Sequence, residues 1–181
     1  RPEMLANTRS LEMFVHEAKL VADLVHENIG QVYNLCAAEG MIFIIMEYIK
    51  GITLSKFLRY HKDRDQNVDP EMAAFIASRV ARALSYAHTR TDFNGVDLKI
   101  VHRDVTPANI MIDTLGVVKL TDFGIAKAVA GATPDERNVL MGKFPYMSPE
   151  QIQLKGTDQR SDIFALGITF YEMLLQNKLF P

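Results

Sequence analysis

The 181 residues include a single cysteine, Cys36, so no internal disulfide framework holds the fold and the chain suits a reducing compartment. No set of Cys and His residues stands at zinc-ligand spacing. The 20 Lys and Arg set against 22 Asp and Glu leave a formal net charge of −2, which gives no basic footprint for nucleic acid or an anionic membrane. No apolar run within these residues approaches the roughly 20 positions of a membrane span, and no signal-peptide pattern is visible in them. Internal repeats and low-complexity segments are missing too. What remains is an ordinary globular composition, 48% apolar, in a chain the size of one domain or two small lobes and long enough to bury a core.

The most informative stretch reads K-I-V-H-R-D-V-T-P-A-N-I-M-I-D over residues 99–113, followed by a turn at Thr114, Leu115 and Gly116 and then V-V-K-L-T-D-F-G over 117–124. The apolar runs 110–112 and 117–120 are short, rich in β-branched residues and separated by a Gly-containing turn, which predicts a β-hairpin. A hairpin brings its outer ends together. Asn109 and Asp122 should therefore be neighbours at the open end, with Asp104 on the loop that leads in.

Asn109 and Asp122 offer oxygen donors of the kind Mg²⁺ selects, and a site with so few protein ligands leaves room for water and substrate phosphates. Without a cation, Asp104 and Asp122 would repel a polyphosphate. One unit-charge pair at about 4 Å and an effective dielectric near 20 costs about 4 kcal/mol. Asp104 would then be free to accept a hydrogen bond from an attacking hydroxyl and take its proton.

The remainder alternates between strand and helix signals before turning mostly helical. Apolar residues at Leu11, Phe14, Val15, Ala18, Val21, Ala22 and Val25 predict an amphipathic helix over 8–25, with Glu17 beside the stripe. Two strands are expected at 32–36 and 41–46, joined by a turn at Glu39 and Gly40. The pattern breaks at residues 47–51, which marks a lobe boundary between 1–49 and 50–181. A short helix over 53–61 follows. Asp69-Pro70 then signals the start of a longer one, with Phe75, Ile76, Val80, Ala83, Leu84 and Ala87 on one face. A loop over 91–98 is expected to feed a strand at 99–101. Residues 128–141, with Gly131 and Pro134, read as a loop. The run 162–175 is apolar on nearly every side, as in a helix buried all round.

His102-Arg103-Asp104 with Asn109, then Asp122-Phe123-Gly124, then Ser148-Pro149-Glu150 resembles the catalytic core of eukaryotic-like (Hanks-type) serine/threonine protein kinases. The wording M-E-Y-I-K-G-I-T-L and Y-M-S-P-E-Q is similar to the bacterial members. A lone D-F-G carries little weight, but three motifs in the family's order, covering essentially the whole chain, are specific. The resemblance implies an α+β, two-lobed fold: a partial small lobe of helix, two strands and hinge, and a mostly helical large lobe. It implies ATP and Mg²⁺, a protein substrate presenting Ser or Thr, no nucleic-acid partner, and a cytoplasmic setting for this piece.

The same resemblance assigns roles. Asp104 positions the nucleophile, and Asn109 and Asp122 hold Mg²⁺. Glu17 pairs with an ATP-holding lysine. Met46 matches the gatekeeper, the backbone of Glu47 and Ile49 the adenine-binding hinge, and Met111 the floor beneath the ring. Val21, Val32, His102 and Phe123 match a stacked apolar column anchored by Asp162. Arg103 resembles the arginine that binds a phosphorylated loop.

Three departures stand out. Thr106 occupies the position where the family usually has a γ-phosphate-binding lysine, and Lys143 the position where it usually has a threonine, which reads as a reciprocal exchange. Between Thr133 and Ser148 there is no Ser or Thr, so activity is expected not to depend on loop phosphorylation. The Gly-rich loop and the lysine partner of Glu17 are expected upstream of Arg1, and the arginine partner of Glu150 beyond Pro181. Taken alone, the piece should be catalytically inactive and marginally folded.

Overall fold

The computed structural model describes residues 20–38, 41–123 and 144–180. Most of the helix expected over 8–25, Glu17, the turn at 39–40, the loop at 128–141 and Lys143 lie outside the described residues. Residues 20–22 are helical.

Strands β1 (Val32–Ala38) and β2 (Met41–Met46) form an antiparallel pair with Val32 opposite Met46, and β1 runs two residues beyond the expected 32–36. Their apolar, β-branched content suits a pleated, half-buried surface.

A third strand, β3 (Gly51–Thr53), follows at once. Sequence reading does not anticipate it, because three residues are too short for a period-two pattern to register. β3 pairs antiparallel with β4 (Ile110–Asp113), Ile52 facing Ile112, and β4 pairs with β5 (Val118–Leu120) as the expected hairpin. Gly116 takes a φ of +82° in the connecting turn. The Asp113 side chain accepts from the Leu115 and Val117 amides at 2.8 Å, which fixes that turn. On the other flank of β5, Ile29 forms a parallel bridge to Leu120, and the Gly30 amide donates to the Leu120 carbonyl at 2.9 Å. The stretch that precedes β1 is therefore stitched to the hairpin.

Helix α1 (Leu54–Lys62) starts where Thr53 accepts from the Lys56 amide at 3.3 Å. Helix α2 (Pro70–His88) starts where Asp69 accepts from the Glu71 amide at 2.8 Å, with Pro70 at a position that needs no amide hydrogen. The buried face of α2 carries Ala73, Ile76, Val80, Ala83, Leu84 and Ala87. Phe75 is not on it. At 41% exposure, its ring lies under the Arg79 guanidinium instead.

The strand expected at 99–101 does not form. Lys99 adopts a φ of +50°, outside extended geometry, and its amide donates to the Asp97 side chain at 2.8 Å. Ile100 still reaches the core. Local turn chemistry at Asp97 outweighs the β-branched signal of Ile100 and Val101.

After the short helix α3 (Pro149–Ile152), helix α4 (Gln159–Leu175) packs on α2 and buries Asp162, Ala165, Leu166, Ile168, Thr169 and Met173. It is not buried all round among the described residues, since Ile163 and Leu175 are each 54% exposed. No described helix is long and apolar enough to cross a membrane.

The register of β3 depends on Gly51. A Cβ there would sit 2.1 Å from the Ile112 carbonyl oxygen and 2.6 Å from the Asp113 Cα. Gly51→Ala should lower unfolding free energy by about 2 kcal/mol, the scale of an overpacked site, as read by urea denaturation of the full-length protein.

Candidate active site

The site is built downward from a buried acid. Asp162, 1% exposed near the start of α4, receives three hydrogen bonds. The His102 amide donates to its Oδ2 at 2.8 Å, the Arg103 amide to its Oδ1 at 2.7 Å, and His88 Nε2 of α2 meets Oδ2 at 2.8 Å. Arg103 holds a φ of +65°, a conformation that costs a residue with a side chain about 1–2 kcal/mol. The two charge-assisted amide bonds flank that strained residue and hold the turn.

His102 is fully buried. Its Nε2 lies 3.0 Å from the Thr121 carbonyl oxygen, and its Nδ1 accepts from the Asp104 amide at 3.2 Å. With an acceptor carbonyl at one nitrogen and a donor amide at the other, the ring fits as a neutral imidazole bridging the loop and the strand end. Phe123 packs on it at 4.5 Å between ring centroids. Both nitrogens are occupied by backbone, which leaves the ring no part in proton transfer.

The hairpin brings Asn109 and the Asp122 segment together. The Thr121 amide donates to the Asn109 carbonyl at 2.8 Å, and the Thr121 hydroxyl donates to the same oxygen at 3.1 Å. Asn109 Nδ2 donates to the Asp104 carbonyl at 2.9 Å and to Asp104 Oδ2 at 3.0 Å. This occupies the nitrogen of the amide and leaves its oxygen as the atom able to meet a cation. Asp122, exposed, takes a φ of +59°, a second left-handed residue at the same place. Among the described residues its carboxylate accepts no hydrogen bond. No group of three or more His, Cys, Asp or Glu among them is placed to hold a metal ion either. An amide oxygen and one carboxylate are a donor set suited to Mg²⁺, which keeps waters and substrate phosphates as its other ligands.

Met46, at the end of β2, lines a cavity of about 40 Å³ together with Val21, Gly30, Val32, Phe123 and Asp122. Of the four expected column residues, His102 touches Phe123, and Phe123, Val21 and Val32 all line that cavity. The Glu47 amide donates to the Gln31 carbonyl at 2.8 Å, while among the described residues the Glu47 carbonyl and the Ile49 amide make no hydrogen bond. Met111 stands on β4 between Thr53 and Lys119. Thr106 is 5% exposed, and its carbonyl accepts from the Asn109 amide at 3.0 Å.

Sequence reading misses three supports. Lys119 Nζ lies 3.0 Å from the Glu47 carboxylate, and the Gln31 amide donates to the same group at 3.2 Å. Gln151 Nε2 of α3 donates to the Arg103 carbonyl at 3.1 Å. Lys119 and Glu47 stand 72 positions apart, and nothing local to either indicates the other.

A family model described as "Protein kinase domain" matches residues 3–181. The chain belongs to the protein kinase family. It is of the bacterial Hanks type, being 41% identical over 173 residues to tyrosine-protein kinase MasK of Myxococcus xanthus, a match that covers 96% of this chain. It is 35% identical over 164 residues to serine/threonine-protein kinase PrkC of Bacillus subtilis, covering 91% of this chain. The kinase chain spans about a quarter of those relatives, 27% of MasK and 24% of PrkC. The crystal structure of the Mycobacterium tuberculosis PknI kinase domain superposes with a TM-score of 0.73 at 27% identity, covering 98% of this kinase chain and 62% of that one.

Removing the anchor should be costly. Asp162→Ala leaves two buried amides and His88 without their acceptor, and unfolding free energy should drop by about 3–5 kcal/mol, the penalty of breaking a buried pair from one side. Urea midpoints measured at an unchanged slope would report it.

Burial pushes the His102 imidazole below its ordinary value. The unfolded chain then takes up a proton first, near pH 6.5, so the neutral ring's contribution is complete above about pH 6.5 and is lost as pH falls toward the folded value. The melting temperature should fall between about pH 7 and pH 5. His102→Gln should flatten that slope, the remainder belonging to His26, which is depressed by burial in the same direction.

Proposed function

We propose that this domain transfers the γ-phosphoryl group of Mg-ATP to serine and threonine hydroxyls of protein substrates, with residues 1–49 in its small lobe and 50–181 in its large one. The observation that carries the reading is Asn109, whose amide grips the Asp104 carboxylate while its backbone pairs with the strand end that bears Asp122.

Asp104 orients the acceptor hydroxyl and takes its proton as the oxygen bonds to the γ-phosphorus, and the bond from that phosphorus to the β-phosphate oxygen breaks to release ADP. Asn109 Oδ1 and the Asp122 carboxylate are the groups that would hold Mg²⁺. When bound, the metal neutralises charge on the phosphate oxygens. The Glu47 carbonyl and the Ile49 amide, both lacking partners among the described residues, are suited to an adenine edge, with Met46 beside it and Met111 beneath. Glu17 would orient a lysine from a strand upstream, and Lys143 would supply the cation that the family draws from the position of Thr106.

Serine and threonine are favoured over tyrosine because H-R-D-V-T-P lacks the tyrosine-kinase pattern, although one relative is named a tyrosine kinase. A second reading, a pseudokinase acting as a binding scaffold, draws support from Thr106 alone, since Asp104, Asn109 and Asp122 are all in place.

The full-length protein assayed with Mg-ATP and a mixed hydroxyl-bearing substrate tests this reading. Asp104→Asn should lower transfer by at least about a hundredfold, and Lys143→Ala by about tenfold, the loss of about 1.4 kcal/mol of transition-state stabilisation. Phosphoamino-acid analysis should return phosphoserine and phosphothreonine. Transfer by Lys143→Ala within twofold of the parent would remove the lysine from the mechanism. ATP binding without any transfer would move the protein to the scaffold class.

A further inference from the structure

Gln151 stands on the short helix α3 and is half-buried. Its side-chain oxygen accepts from the Ser148 amide at 3.0 Å and from the Ser148 hydroxyl at 3.2 Å. A glutamine at the third position of a helix that starts at serine does this as an ordinary capping box, so the oxygen needs no further account. The nitrogen has no place in that box. Nε2 reaches 48 positions back along the chain and donates to the Arg103 carbonyl at 3.1 Å.

That carbonyl is half of the peptide unit that joins Arg103 to Asp104. The other half, the Asp104 amide, donates to His102 Nδ1 at 3.2 Å. Both polar groups of one planar unit are therefore engaged, which leaves it little freedom to turn. Arg103 is gripped on its two sides, its amide by Asp162 at 2.7 Å and its carbonyl by Gln151. Its φ of +65° is a conformation that a residue with a side chain leaves when a restraint is removed. The direction in which Asp104 projects follows from this peptide plane. α3 is in turn fixed to α4, because the Ser161 hydroxyl donates to Glu150. Ser161 and Asp162, adjacent on α4, thus reach the loop by two routes, one direct and one through α3.

We infer that Gln151 is a positioning residue for Asp104, its amide setting the peptide plane from which the proposed proton acceptor projects. The inference rests on the protein-kinase reading given above. A side chain that only starts a helix affects stability. One that aims a proton acceptor affects the chemical step, where a small misplacement is costly.

The full-length protein carrying Gln151→Glu separates the two roles. A carboxylate keeps the oxygen that accepts from Ser148 and removes the donor to Arg103, and glutamate serves a capping box as well as glutamine does. With Mg-ATP and a hydroxyl-bearing peptide, kcat should fall about tenfold, equivalent to about 1.4 kcal/mol, while KM for both substrates stays within about twofold of the parent. Gln151→Leu loses both sets of bonds and should show the same loss in kcat together with a lower melting temperature. Gln153→Leu, at an exposed position two residues on, should change neither. In an Asp104→Asn background the Gln151→Glu penalty should shrink below about twofold, because a side chain that cannot take the proton gains nothing from being aimed. A kcat within about twofold of the parent in Gln151→Glu overturns the inference, as does an equal loss in both backgrounds, and the kinase reading survives either result while Asp104→Asn is impaired. A parent that transfers nothing, or transfer indifferent to Asp104→Asn, removes the kinase reading and the positioning role with it.

Discussion

A single buried carboxylate carries the geometry of this domain. Asp162 stands on α4, yet its partners are the backbone amides of His102 and Arg103 and the imidazole of His88 on α2. A buried charge is tolerated only when its lone pairs are filled, and here they are filled by groups from two segments, the loop at His102 and Arg103 and helix α2. The loop could not otherwise keep Arg103 in a left-handed conformation, because an unrestrained chain would relax by 1–2 kcal/mol. The order of dependence runs from helix to loop to Asp104.

The groups proposed to react are arranged largely by backbone. Pairing of the Asn109 carbonyl with Thr121 sets the ends of the hairpin, and the Asn109 side chain then reaches Asp104. His102, with both ring nitrogens bonded to main chain, acts as a spacer between the loop and the strand end. In the proposed reaction the chemistry would fall to side chains held by these backbone bonds, which is the condition for keeping a proton acceptor at a fixed place relative to an incoming hydroxyl.

Much of this was legible because it is local. The hairpin has a turn glycine and two short β-branched runs, α2 has an Asp-Pro start, and the motif order D, N, D-F-G names a chemistry before any coordinates exist. Other features were hidden for physical reasons. β3 is three residues whose strand character comes from their partner, Ile112, and not from their own pattern. Residues 99–101 carry a strand composition but follow an Asp97 turn that forces Lys99 to positive φ. Phe75 reads as core, yet turns outward beneath Arg79. The grip of Lys119 and Gln31 on Glu47 is a tertiary fact with no sequence signature.

That grip has a further meaning. Glu47 follows the last strand of the small sheet, Lys119 belongs to the hairpin that ends at Asp122, and the stretch through Ile29 and Gly30 is bonded to the same strand. The edge proposed for adenine and the end proposed for magnesium are therefore two marks on one ruler. Both are tied to β5, so a change at Lys119 would reach the two together.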